Sequence, residues 1–209
     1  MSKKLHLEIF PQEQADLFNT LCRLEWISDF YLVGGTALAL QMGHRRSLDF
    51  DFFRSKNFNI DKLVVQAKEI GKFELYGHDK DTLNAAINGV RISFFISPYP
   101  LMRDTISYKN ISIADKFDIA LMKLNALSGR GNKKDFVDLY FLLKEYDLAQ
   151  LIKNYQNKYG IELSNVYHLY KSLIYFEDAE QQPAPKMLQS VPWQEVKKRI
   201  IAEVKKLQI

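Results

Sequence analysis

Apolar residues recur at three- and four-residue steps after Pro11, at Ala15, Phe18, Leu21, Cys22 and Trp26, which predicts an amphipathic helix ending near Ser28. Phe30-Tyr31-Leu32-Val33 is a short β-prone run stopped by Gly34-Gly35, the pattern of a buried strand entering a tight turn. Thr36 to Met42 consists of strong helix formers and is closed by Gly43. A second strand is expected from Leu48 to Phe53, and a helix from about Ile60 to Ile70. Three β-rich pieces follow, Phe73 to Gly77, Leu83 to Ile87 and Val90 to Ile96, and Asn88-Gly89 between the last two is a strong hairpin signal.

Past Pro98-Tyr99-Pro100 the periodicity turns helical, from Ala114 to Ser128, Asp135 to Glu145, Leu148 to Tyr159, Ser164 to Tyr175 and Trp193 to Leu207. The acidic, proline-containing stretch from Glu177 to Pro185 reads as an exposed loop. An α+β fold is therefore expected: a mixed β-sheet flanked by helices over 1–100, then an α-helical region over 101–209 that completes a cleft. There is no internal repeat.

Composition narrows the function classes only a little. The 209 residues carry 29 Lys and Arg against 25 Asp and Glu, a net charge of +4 that permits an anionic partner without requiring one. Cys22 is the single cysteine, so no disulfide within the chain and no cysteine zinc site can form. The N-terminal lysines lead into Glu8, Pro11 and Glu13 instead of an apolar run, and no long apolar stretch follows, so a cytoplasmic protein is expected.

The chemistry concentrates at Asp49 and Asp51. Residues two apart on a strand share a face, so the two carboxylates are expected to project together, about 6.6 to 7 Å apart at their Cα atoms, with Phe50 and Phe52 opposite. Side by side in an apolar segment they repel each other and lose hydration unless a cation sits between them, and Mg²⁺ suits carboxylates shared with substrate phosphates. An Asp-x-Asp at a fraying strand end can equally be solvated and idle. The Gly34-Gly35-Thr36 turn upstream shifts that balance, because glycine lets backbone N–H groups approach a phosphate and a helix N-terminus favours negative charge.

Gly-Gly followed by Asp-x-Asp on the next strand resembles the DNA polymerase β-like nucleotidyltransferases. The strings from Val33 to Leu40 and from Gly43 to Phe53 resemble, more narrowly, the AbiEii/AbiGii toxin family of nucleotidyltransferases. Asp118 to Ala126, and Arg130-Gly131-Asn132-Lys133-Lys134-Asp135-Phe136-Val137-Asp138, resemble that family's later motifs, so the likeness runs from about Tyr31 to Leu143. It implies a Mg²⁺-dependent enzyme, with one or two ions, that moves a nucleoside monophosphate from an NTP to an acceptor hydroxyl such as that of an RNA or tRNA end. It also implies a toxin of a bacterial toxin–antitoxin or abortive-infection system, with a cognate antitoxin as partner.

By that resemblance Asp49 and Asp51 hold metal, Gly34, Gly35 and Thr36 contact the triphosphate, and Lys123 reaches the phosphates or base. Asp135 joins the catalytic set, with Arg46, Arg130 and Lys134 as nucleotide-binding cations. Each has a plainer account: Lys123 as a solvated helix lysine, Asp135 and Asp138 as acids favoured in the first turn of a helix, Arg46 as a loop residue. The resemblance is broken at one position. Many enzymes of the superfamily carry a third carboxylate on the strand that here reads Val90-Arg91-Ile92-Ser93, and Ser93 stands in its place. A serine hydroxyl is a poor Mg²⁺ ligand and does not take a proton at neutral pH, so weak turnover, another base such as Asp135, or nucleotide binding without transfer all remain open.

Overall fold

Short β-prone runs broken by glycine and Asn-Gly turns become one mixed sheet. The computed structural model describes residues 4–129, 131–160 and 162–207. It divides into two compact units, Met1–Asp115 and Lys116–Ile209. In the first unit the strands are β1 (Tyr31–Val33), β2 (Phe50–Arg54), β3 (Phe73–Asp79), β4 (Thr82–Ile87), β5 (Val90–Ile96), β6 (Ile106–Tyr108) and β7 (Ile111–Ile113). Their order is β3-β4-β5-β2-β1-β7-β6. β2 runs parallel to β5 and β1 parallel to β7, and the other neighbours are antiparallel. Asn88 and Gly89 both take positive φ, 51° and 79°, as the turn between β4 and β5 requires.

Helices α1 (Gln12–Leu21), α2 (Gly34–Met42) and α3 (Ile60–Lys68) pack on this sheet. Phe50 and Phe52 are fully buried on one face of β2. Phe50 stacks on Phe18 of α1 at 5.9 Å, and Phe52 on Phe94 of β5 at 5.5 Å. Each fully buried aromatic contributes roughly 1.5–3 kcal/mol, so β2 is anchored through this face. Its other face carries Asp51 and Phe53, whose ring meets Phe95 at 5.5 Å.

Four expectations change. The helix predicted to reach Ser28 stops at Leu21, because the N–H groups of Arg23 and Leu24 bond the carbonyls of Thr20 and Leu21, three residues back. The apolar spacing persists only because a 3₁₀ turn, Trp26–Asp29, buries Ile27 with a similar period. β2 starts at Phe50, not Leu48, which is 49% exposed in an irregular loop. β6 and β7 fall where no element is expected; three residues each are too few to show alternation, and Lys109, at φ 52°, turns between them. The stretch after Tyr175 is not all loop, since Glu177–Glu180 is a helical turn that buries Ala179.

The second unit is helical: α4 (Lys116–Gly129), α5 (Lys133–Leu142), α6 (Leu148–Tyr159), α7 (Leu163–Ile174), α8 (Glu177–Glu180) and α9 (Trp193–Lys206). α4 packs against α5, α6 and α7, and α9 lies on α5 and α7. Asp147 caps α6 by accepting from the Gln150 N–H, and Gly160 ends it in the left-handed conformation. Among the described residues no helix is long and apolar enough to cross a membrane.

Inside this unit Lys158 of α6 meets Asp118 of α4 at 2.5 Å, with 1% and 0% of their side chains exposed. Removing one member of such a buried pair strands the other charge. Asp118→Ala is therefore expected to lower stability by about 3–5 kcal/mol in urea unfolding, while Asp118→Leu with Lys158→Met recovers most of the loss. Equal losses in the single and double variants would show that the cost lies in losing the pair and not in the charge left behind.

Candidate active site

The turn from β1 into α2 admits only glycine at its first position. Gly34 has φ +70°, and a Cβ there would lie 2.7 Å from Oδ2 of Asp51. The Asp51 carboxylate therefore sits directly against the start of α2, as the β1–β2 register, Val33 opposite Asp51, requires. A Cβ on Gly35 would come within 2.5 Å of the Arg45 guanidinium and 2.9 Å of Ser47 Oγ, so the loop between α2 and β2 packs onto this second glycine. The residue before α2, Val33, has no polar side chain to cap its first turn. Its leading amides are donors of the kind that receive phosphate oxygens.

Asp49 is the last loop residue before β2, and Asp51 is the second residue of the strand. Both are half-buried, and Phe50 between them is fully buried, so the expected alternation holds across the loop–strand boundary. Thr36 is 1% exposed, and its hydroxyl donates to the backbone carbonyl of Asp49. That proton is committed to holding Asp49 in place. Arg46 is exposed, whereas Arg45 is buried and donates to the Arg46 carbonyl at 2.9 Å.

Ser93 lies on β5 directly opposite Asp51 in the parallel β2–β5 register, half-buried. Residues paired in this way face the same side of the sheet. The serine thus stands beside Asp51 on the neighbouring strand. Among the described residues no group of three or more His, Cys, Asp or Glu is placed to hold a metal. The two carboxylates nonetheless suit a hard cation that keeps part of its shell for substrate oxygens, and the helix amides suit those oxygens.

In the second unit Lys123 and Asp135 are brought together. The Lys123 ammonium lies 2.8 Å from Asp135 and 2.6 Å from Asp138, and all three side chains are at least nine-tenths buried. Lys134 is exposed on the first turn of α5, while its neighbour Lys133 is tied to Gln182 through both its N–H and its ammonium. Arg130 lies outside the described residues. Sequence patterns did not single out Gln14, whose amide reaches the loop that carries Asp49, or the Lys158–Asp118 pair. Both depend on contacts between distant segments, 33 and 40 residues apart, that no local period encodes.

The sequence pattern described as "Nucleotidyl transferase AbiEii toxin, Type IV TA system" matches residues 15–107. An uncharacterized protein of Aquifex aeolicus (strain VF5), aq_aa25, is 39% identical over 178 residues, covering 82% of this chain and 85% of that protein. The chain belongs to the AbiEii family of nucleotidyltransferase toxins. Solved structures agree on the fold of this AbiEii-family chain. JHP933 from Helicobacter pylori superposes with a TM-score of 0.59 at 18% identity, over 94% of this chain and 92% of that one. MenT4, a nucleotidyltransferase toxin of Mycobacterium tuberculosis, gives 0.55 at 13% identity, over 95% and 87%.

The family's sequence match takes in the whole run from the Gly-Gly turn to Ser93, which is the run that the register assembles at the centre of the sheet. Gly34→Ala forces an L-residue into the left-handed region, at about 1–2 kcal/mol, and drives a methyl into the Asp51 carboxylate. Thermal unfolding of Gly34→Ala is expected to show that loss. A Gly89→Ala control, also at positive φ but with open space around it, loses only the conformational part. Equal losses at the two glycines would mean that Asp51 does not press on Gly34.

Proposed function

We propose that this AbiEii-family protein moves a nucleoside monophosphate from an NTP to an acceptor hydroxyl, and that it acts as the toxin of a pair whose antitoxin restrains it. What carries this proposal is the meeting of Asp51 with the glycine start of α2 on one side and with Ser93 on the other. Phosphate-binding donors and metal-binding carboxylates then share the centre of the sheet.

Asp49 and Asp51 are the residues that would hold Mg²⁺, which when bound neutralises charge on the attacking and leaving oxygens. The amides of Gly34 and Gly35 receive phosphate oxygens, and exposed Arg46 supplies a first-unit cation for the triphosphate. Thr36 acts through the backbone, by fixing the carbonyl of Asp49. In the transfer, the acceptor oxygen bonds to the α-phosphorus, the bond to the bridging oxygen of the β-phosphate breaks, pyrophosphate departs, and the hydroxyl proton passes to solvent or a nearby base. An RNA end fits the acceptor role, given the chain's net charge of +4.

Incubation with each α-labelled NTP, Mg²⁺ and total RNA is expected to label RNA, and Asp51→Asn to reduce labelling to background. Labelling that survives Asp51→Asn would remove the pair from the chemistry. Ser93 favours a second possibility, a protein that binds nucleotide and turns it over slowly for want of a base. A general base contributes roughly 10²–10⁴ in rate, so under that possibility Ser93→Asp raises transfer by at least about tenfold. Unchanged or lower transfer in Ser93→Asp would mean that no base is missing beside Asp51.

A further inference from the structure

Asp49 sits in a loop without regular secondary structure, yet the backbone there is held at three successive points. Arg45 donates to the carbonyl of Arg46 at 2.9 Å, Gln14 to that of Ser47 at 2.8 Å, and Thr36 to that of Asp49. Two of these donors come from within or beside the glycine turn and its loop. Gln14 comes from α1, a helix outside every motif of the site.

Gln14 is 1% exposed and lies on the face of α1 that otherwise buries Leu17, Phe18 and Leu21. An apolar side chain would satisfy that position with no loss of hydration, whereas a buried amide must find partners. Its Nε2 finds Ser47, 33 residues on. One helical turn later, Phe18 stacks on Phe50 at 5.9 Å. α1 therefore grips the chain on both sides of Asp49, by a hydrogen bond at Ser47 and an aromatic stack at Phe50.

We infer that Gln14 is a positioning residue for the metal-binding pair, setting where Asp49 stands through the Ser47 carbonyl. The inference rests on the proposed role of Asp49 and Asp51. A carboxylate delivered from a loop can bind a cation at full strength only if the loop need not be ordered at the moment of binding. Side chains that orient metal ligands in this way typically account for 10–100-fold in metal affinity.

The test uses the full-length protein with Mn²⁺ as probe, in calorimetry, together with amide hydrogen exchange across 44–49. Gln14→Met keeps the side chain's length and removes the donor. It is expected to melt close to wild type, to exchange faster across 44–49, and to bind Mn²⁺ about tenfold or more weakly. Leu21→Val thins the packing of the same helix two turns away; it is expected to lower the melting temperature without changing Mn²⁺ affinity. Gln14→Met that binds Mn²⁺ as wild type does, or Leu21→Val that weakens binding equally, overturns the positioning role alone. Wild-type protein with no Mn²⁺ binding that Asp49→Ala abolishes overturns the metal-binding role of the pair, and the inference with it.

Discussion

The burial of Phe50 and Phe52 sets the direction of the groups on the opposite face of β2. A strand alternates its side chains, so once these two rings are locked against Phe18 and Phe94, Asp51 has no choice of face. It must emerge beside Val33 on one neighbour and Ser93 on the other, and Val33 is the residue that leads into Gly34. A one-residue slip of β2 would put the phenylalanines in water and the carboxylate in the core, a change far larger in free energy than any local preference. The aromatic core thus specifies the position of a charged group that it does not touch.

The start of α2 depends on the same constraint from the other direction. Gly34 is placed where a side chain would collide with Asp51, so the close approach of helix and carboxylate is possible only at glycine. The carboxylate partly satisfies the positive end of the helix, and the two compete for the same space. A cation and a phosphate together relieve that competition, since each takes a partner of opposite sign. A site built from a carboxylate pair and a helix N-terminus is therefore better matched to a metal–phosphate complex than to either ion alone.

Features of the chain that act locally were legible in its sequence. Gly34-Gly35, Asn88-Gly89 and Gly43 announced their turns because positive φ selects glycine and asparagine, and β3 to β5 announced themselves as β-rich runs. Ser93 drew notice only through the resemblance, and its pairing with Asp51 is a fact of the β2–β5 register. What escaped was set by distant partners. β6 and β7 exist because β1 offers an edge to Ile111–Ile113, and α1 ends early because Ile27 is needed in the core. Gln14 looked like one more polar residue at a helix start, and only the fold shows that its amide faces inward.

Lys123 illustrates how the same residue type answers to different forces. Its apolar neighbours in α4 suggested a lysine with a task, and the fold gives it one: within the second unit it bridges Asp135 and Asp138 of α5, buried with them. Asp135 and Asp138 lie three residues apart on one face of α5, the spacing that lets both reach a single ammonium. One ammonium offsets only one of two buried carboxylates, and each buried ion carries a penalty of several kcal/mol, so the helix period explains how the trio meets but not why it holds a second acid.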